Sequence, residues 1–219
     1  RSVFAPLMHT YPEFALRLME ILGERQQRNF DQHYIEKPSR LNISVVATQV
    51  GLDLQAFAQA LSSNLSRHGS TLVLNRQQLE ALYGLPGAME HPKTTGQIVQ
   101  LWVEELEQGY DYVVYLADEP WTPWTEWVVK SADRVLFVGN AAGNSAPSSV
   151  EQAVMAELAH QRFELVLLHE PNTQQPHGTS NWLKQRNVYR HYHVRQGDDA
   201  HFARLARLLT GNGIGLVLS

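Results

Sequence analysis

The chain has 219 residues, 43% of them hydrophobic and 18% charged, with 18 Lys plus Arg against 22 Asp plus Glu for a formal charge of −4 at pH 7, the profile of an ordinary globular chain able to bury a sizeable core. Cysteine is absent, which excludes disulfides, thiol nucleophiles and thiolate metal sites, and the mild acidity removes the main electrostatic argument for nucleic acid. No apolar run approaches the roughly 18 residues of a membrane-spanning helix, and Arg1-Ser2-Val3-Phe4 has neither a starting Met nor a signal-peptide pattern, so the chain reads as a piece of a longer one.

From Pro12 to about Phe30, Phe14, Leu18 and Leu22 recur at helical spacing, and the charged stretch from Asp31 to Arg40 reads as a linker. The texture then changes to short β-branched runs separated by helical patterns, which predicts an α/β fold: a doubly wound, mostly parallel sheet in a three-layer sandwich. Strands are expected at Ile43-Ser44-Val45-Val46-Ala47, Thr71–Leu74, Tyr112–Leu116, Val135–Val138, Leu165–Leu168 and His191–Arg195. Between them, Asp53 is a candidate N-cap and Gly69 a candidate C′ residue for the helix carrying Leu54, Phe57, Leu61 and Leu65. Gln77 to Tyr83 forms a short helix closed by Gly84, and Pro86, Gly87, Pro92 and Gly96 mark an irregular loop up to a helix from Gln97 to Gln108. Thr122-Pro123 is a cap followed by a first-turn proline. Ser148 and Glu151 have capping-box spacing, and Asp198 or Asp199 caps a last helix stopped by Gly211. Ile214 to Ser219 reads as the opening strand of a further domain.

In such a sheet the loop after the first strand faces the ligand, and a phosphate-binding version reads G-x-x-x-x-G-K-[ST]. Here it is Ala47-Thr48-Gln49-Val50-Gly51-Leu52-Asp53-Leu54. One glycine is present, the lysine is missing, and Asp53 stands where an anion would dock, so the charge chemistry is reversed. Thr48, Gly51 and Asp118, the last at the end of the third strand, are the residues a nucleotide would use. Ser145 in Gly143-Asn144-Ser145-Ala146-Pro147 departs from the nucleophile elbow at its final proline and its distance from the strand, and reads as a loop residue. His191 and His193 share a strand face as a metal pair would, with no third ligand evident, and His169 is a site candidate by position. Trp121, Trp124 and Trp127 share one side of a helix start, which suits core packing or, alternatively, a docking surface. A basic C-terminal stretch including Arg204 and Arg207 contrasts with an acidic region between Arg76 and Lys130, a polarity that suits a domain contact or a headgroup-facing side.

The tail Arg204-Leu205-Ala206-Arg207-Leu208-Leu209-Thr210-Gly211 leading into Ile214-Gly215-Leu216-Val217-Leu218-Ser219 resembles the lead-in to the patatin-like catalytic domain of the neuropathy target esterase family of lysophospholipases. Tyr115-Leu116-Ala117-Asp118 with Trp121-Thr122-Pro123-Trp124-Thr125, Ser131-Ala132-Asp133 before Val138-Gly139, and Leu167-Leu168-His169 extend the resemblance. Phe14-Ala15-Leu16-Arg17-Leu18-Met19 looks like the closing helix of a cyclic-nucleotide-binding domain. The middle resembles P-loop ATPases of the MinD and Mrp kind at the level of pattern. The resemblance implies residues 1–30 as the end of a cyclic-nucleotide-binding-like domain, 31–40 as linker, 41–211 as a degenerate P-loop-like domain and 212–219 as the first strand of a patatin-like domain. The family's serine–aspartate dyad and oxyanion glycines would fall after Ser219, so no catalytic residue, metal or cofactor is assigned. Expected partners are the flanking domains and a phospholipid surface, in a cytoplasmic setting that includes the cytoplasmic face of a membrane, with no nucleic acid.

Overall fold

A computed structural model describes residues 16, 19, 20, 23, 40–90, 92–158, 162–176 and 178–211. The linker up to residue 39 and the strand expected at Ile214–Ser219 lie outside the described residues, as does most of the N-terminal helix.

Six strands form one all-parallel sheet: β1 Leu41–Ala47, β2 Thr71–Leu74, β3 Tyr112–Leu116, β4 Arg134–Asn140, β5 Phe163–His169 and β6 Val188–Arg195, in the order β2-β3-β1-β4-β5-β6. The apolar runs have no polar alternation because both faces are covered, so Ile43, Val45 and Val46 are all fully buried. At about 2 kcal/mol for each such side chain, this central strand is a principal anchor of the core. One face is covered by α1 (Leu54–Leu65) and α7 (Asp199–Leu209), which meet at Phe57 and Phe202, ring centroids 5.7 Å apart. The other carries α2 (Arg76–Tyr83), α3 (Pro92–Gln108), α4 (Pro123–Ser131), α5 (Ser149–Glu157) and the short α6 (Thr179–Leu183). This division follows from the right-handed crossover rule: the connection from β1 moves toward β2 with its helix on one face, and those from β2 through β5 move the other way with helices opposite.

The caps place the helix starts. The Asp53 carboxylate accepts the Ala56 N–H, the Thr122 hydroxyl accepts the Thr125 N–H before Pro123, Ser148 and Glu151 close a capping box on α5, and Asp198 caps α7. Gly84 ends α2 in the left-handed region at φ 65°.

Two expectations are corrected, and one short helix was not expected. Gly69 is not a left-handed C′ residue. α1 ends at Ser66, and Gly69 lies where a Cβ would meet the Asp111 carboxylate at 2.8 Å, so its need is for space. The irregular loop expected up to Thr95 is shorter, because a 3-10 turn spans Ala88–Glu90 and α3 begins at Pro92. Proline is tolerated in a first helical turn, and Gly96 lies inside the helix. α6 had no periodic signal at five residues.

Candidate functional site

Ligands of parallel sheets lie beyond the strand C-termini where the connections diverge, and here three loops meet at that edge. The loop from β1 to α1 carries Thr48, Gln49 and Gly51, the loop from β3 to α4 carries Asp118 and Glu119, and the loop from β4 to α5 runs from Ala141 to Ser148.

Gly51 adopts φ 75°, the left-handed turn that a phosphate loop also needs. Its N–H donates to Glu119 Oε1 at 2.8 Å. The start of α1, where exposed N–H groups and the helix dipole attract an anion, is engaged by the Asp53 carboxylate at 2.9 Å from Ala56 N. Two carboxylates of the chain therefore stand at the donors that a phosphate would use. A nucleotide phosphate would have to displace both while meeting their charge.

Gln49 fills the remaining space. Its Oε1 accepts the Asn140 N–H at 3.0 Å and its Nε2 donates to the Asn140 and Asn144 carbonyls at 3.3 and 3.2 Å. A Cβ at Gly143 would lie 2.0 Å from that Nε2, so the side chain occupies the hollow against the neighbouring loop. Thr48 is buried, 2% exposed, with its hydroxyl packed against Gly139, where a Cβ would come within 2.3 Å of it. Asp118 accepts from the Thr122 hydroxyl at 2.8 Å and pairs with Arg76 at 3.1 Å, its N–H donating to the Thr125 hydroxyl at 3.0 Å. It serves as a turn and helix-start residue. Thr48, Gly51 and Asp118 thus border one edge; the polar groups of Gly51 and Asp118 point to internal partners, and the buried Thr48 hydroxyl has no hydrogen-bond partner among the described residues.

The loop from β4 is clamped from beneath by a buried ion pair that sequence reading missed. Arg186 and Glu151 side chains are both 0% exposed. Arg186 Nε donates to Glu151 Oε1, Nη2 to Oε2 at 2.8 Å, and Nη1 to the Ser145 and Trp182 carbonyls at 2.7 and 3.1 Å, with the guanidinium 4.7 Å from the Trp182 ring centroid. Ser145 contributes its carbonyl to this clamp, five residues past the end of β4. Glu151 was visible only as a cap, and Arg186 only as one member of a basic stretch.

Beside the loop, Leu52, Phe57, Leu168, Gly197 and Phe202 line an apolar hollow of about 270 Å³. At the end of β5, His169 Nε2 lies 2.8 Å from His193 Nδ1, and His193 Nε2 lies 3.4 Å from the Thr179 hydroxyl. Burial, with His169 and then His191 nearby, holds the His193 pKa below the ordinary histidine value. The His191 and His193 rings are edge-to-face at 5.6 Å. Among the described residues no group of three His, Cys, Asp or Glu is arranged to hold a metal ion.

The tryptophans divide. Trp124 is fully buried, its Nε1 donating to the Leu116 carbonyl at 2.8 Å, so it is a core residue and offers no surface to a partner. Trp121 and Trp127 are half-buried against the same core. Arg204 and Arg207 are exposed on α7. No helix among the described residues is long and apolar enough to cross a membrane.

The family model described as "Neuropathy Target Esterase family P-loop like domain" matches residues 40–199. Patatin-like phospholipase domain-containing protein 7 of Mus musculus is 27% identical over 255 residues, covering 95% of this chain and 18% of that protein. Lysophospholipase nte1 of Aspergillus terreus is 25% identical over 215 residues, covering 90% of this chain and 14% of that protein. The chain therefore spans about a fifth or less of these relatives. Among solved structures, a plasmid partition protein from Borrelia burgdorferi aligns over 80% of this chain and all of its own, at 12% identity and a TM-score of 0.48.

Proposed function

The chain belongs to the Neuropathy Target Esterase family through its P-loop like domain, and from that premise we propose that it is a non-catalytic regulatory or linking module of a patatin-like (lyso)phospholipase. The parent protein hydrolyses phospholipid ester bonds with a serine nucleophile and an aspartate carried by a neighbouring domain. This module constrains that neighbour and an upstream cyclic-nucleotide-binding-like domain, in a cytoplasmic setting, through its outer faces, where Trp121, Trp127, Arg204 and Arg207 are candidates.

The observation that carries the reading is the occupied phosphate position: Gly51 N–H on Glu119 and the α1 start on Asp53. Calorimetry of the chain with ATP and Mg²⁺ tests it. No saturable heat is expected, and none from ADP. A second reading, a nucleotide switch using Thr48, Gly51 and Asp118, is favoured by the left-handed Gly51 turn beside the apolar hollow. Nucleotide binding that Gly51→Val or Asp118→Asn abolishes would establish that reading in place of the first.

A further inference from the structure

Among the described strands β6 lies at the sheet edge, and where α7 crosses one side of it a groove of about 510 Å³ remains, lined by Arg190, His191, His193, His201, Arg204 and Leu208 among others, with no carboxylate among its described lining residues. Arg190 on β6 and Arg204 on α7 are both exposed. Of the nearby carboxylates, Glu164 is engaged with Arg134 and the Tyr192 hydroxyl and Asp199 with Arg67 and Asn64, while Asp198 caps α7 with its Oδ2 3.9 Å from Arg195 Nη1 and 3.8 Å from His201 Nε2. His201 Nδ1 accepts the Arg195 N–H at 3.0 Å, which leaves Nε2 as its donor.

At the start of β6, Tyr189 is 51% exposed, with the Arg162 guanidinium 4.7 Å and the Arg190 guanidinium 5.0 Å from its ring centroid. Three guanidinium groups, those of Arg162, Arg190 and Arg204, thus stand in or beside this groove without acidic partners among the described residues, although the whole chain carries a net charge of −4. Guanidinium is the side chain best matched to phosphate oxygens, in paired hydrogen bonds. An exposed tyrosine between arginines, with the partly buried Leu208 beside them, adds the amphipathic character suited to a lipid–water boundary.

We propose that this groove binds the phosphate of an anionic phospholipid headgroup and seats the β6 edge on a membrane surface. The assignment goes beyond the module's regulatory role and stands apart from the state of the phosphate loop.

Co-sedimentation of the full chain with vesicles tests it. The chain should bind vesicles of phosphatidylcholine with phosphatidic acid, release them as salt is raised, and ignore phosphatidylcholine alone. Arg190→Gln with Arg204→Gln should weaken binding about thirtyfold, at roughly fivefold for each basic side chain near an anionic surface. The same variant should keep its melting temperature, and Lys130→Gln on α4 should bind as the unaltered chain does. Equal binding to neutral vesicles, or full binding by the double variant, would overturn the proposal. Calorimetry with inorganic phosphate separates the other source: binding lost in the double variant, with no vesicle binding, would assign the groove to a soluble phosphate. Arginine-dependent binding of an RNA or DNA duplex in place of vesicles would likewise overturn the lipid assignment.

Discussion

Glu151→Gln isolates the buried clamp, because the amide keeps the size of the carboxylate and removes its charge. Arg186 would retain its bonds to the Ser145 and Trp182 carbonyls but lose both charge-assisted bonds to Glu151. With both side chains 0% exposed, no water compensates the stranded guanidinium, and the expected cost is about 3–5 kcal/mol. Against a domain stability of about 5–15 kcal/mol this is a large fraction. At a urea slope of about 2 kcal/mol per molar, the unfolding midpoint should fall by about 1.5–2.5 M. Ser148→Ala removes the α5 cap alone and should cost only about 1 kcal/mol. Glu151→Leu with Arg186→Met removes both charges and their desolvation, and should recover most of the loss. Amide exchange over residues 141–148 should quicken in Glu151→Gln, since the guanidinium that holds the loop through the Ser145 carbonyl is itself anchored less firmly once its bonds to Glu151 weaken. A loss under about 1 kcal/mol for Glu151→Gln, or a double variant as unstable as the summed singles, would refute the account of the clamp.

Two further outcomes follow from the same kind of reasoning. Trp124→Ala empties a fully buried site and removes the donor to the Leu116 carbonyl, so a loss of about 3–5 kcal/mol is expected, whereas Trp121→Ala should cost roughly half of that at most; equal losses in urea unfolding would contradict the assignment of Trp124 to the core. His193 has its folded pKa depressed below the ordinary value of 6.5, so as pH falls through that value the unfolded chain takes the proton first. Stability should decline from there down to the lower folded pKa, and His193→Gln should flatten that limb while leaving the profile above it unchanged. Superimposable profiles for the two proteins would remove His193 from the explanation.

The parallel strands were legible because burial on both faces selects uninterrupted runs such as Val45-Val46 and Leu165–Leu168, and the helix starts because Asp53, Thr122, Ser148 and Asp198 act within three residues of themselves. The start of α3 was misplaced because proline and glycine usually mark loops, yet Pro92 occupies a first turn and Gly96 sits inside the helix. At the site, the missing lysine and the presence of Asp53 announced a reversed charge. Glu119 was not foreseen as the partner of Gly51, since 68 residues separate them and only the fold brings them together. Arg186 and Glu151, 35 residues apart, escaped for the same reason. Local hydrogen bonds leave a mark in sequence spacing, while contacts between loops depend on strand order.

The Glu119 bond to Gly51 also bears on how the domain's stability responds to dissolved anions. A fold that recruits its loop anion from solution gains stability by mass action and loosens as that solute is depleted. Here the counter-ion is tethered to the polypeptide, so its local concentration is set by the chain alone. Thermal unfolding of the chain should then be indifferent to added ATP and Mg²⁺.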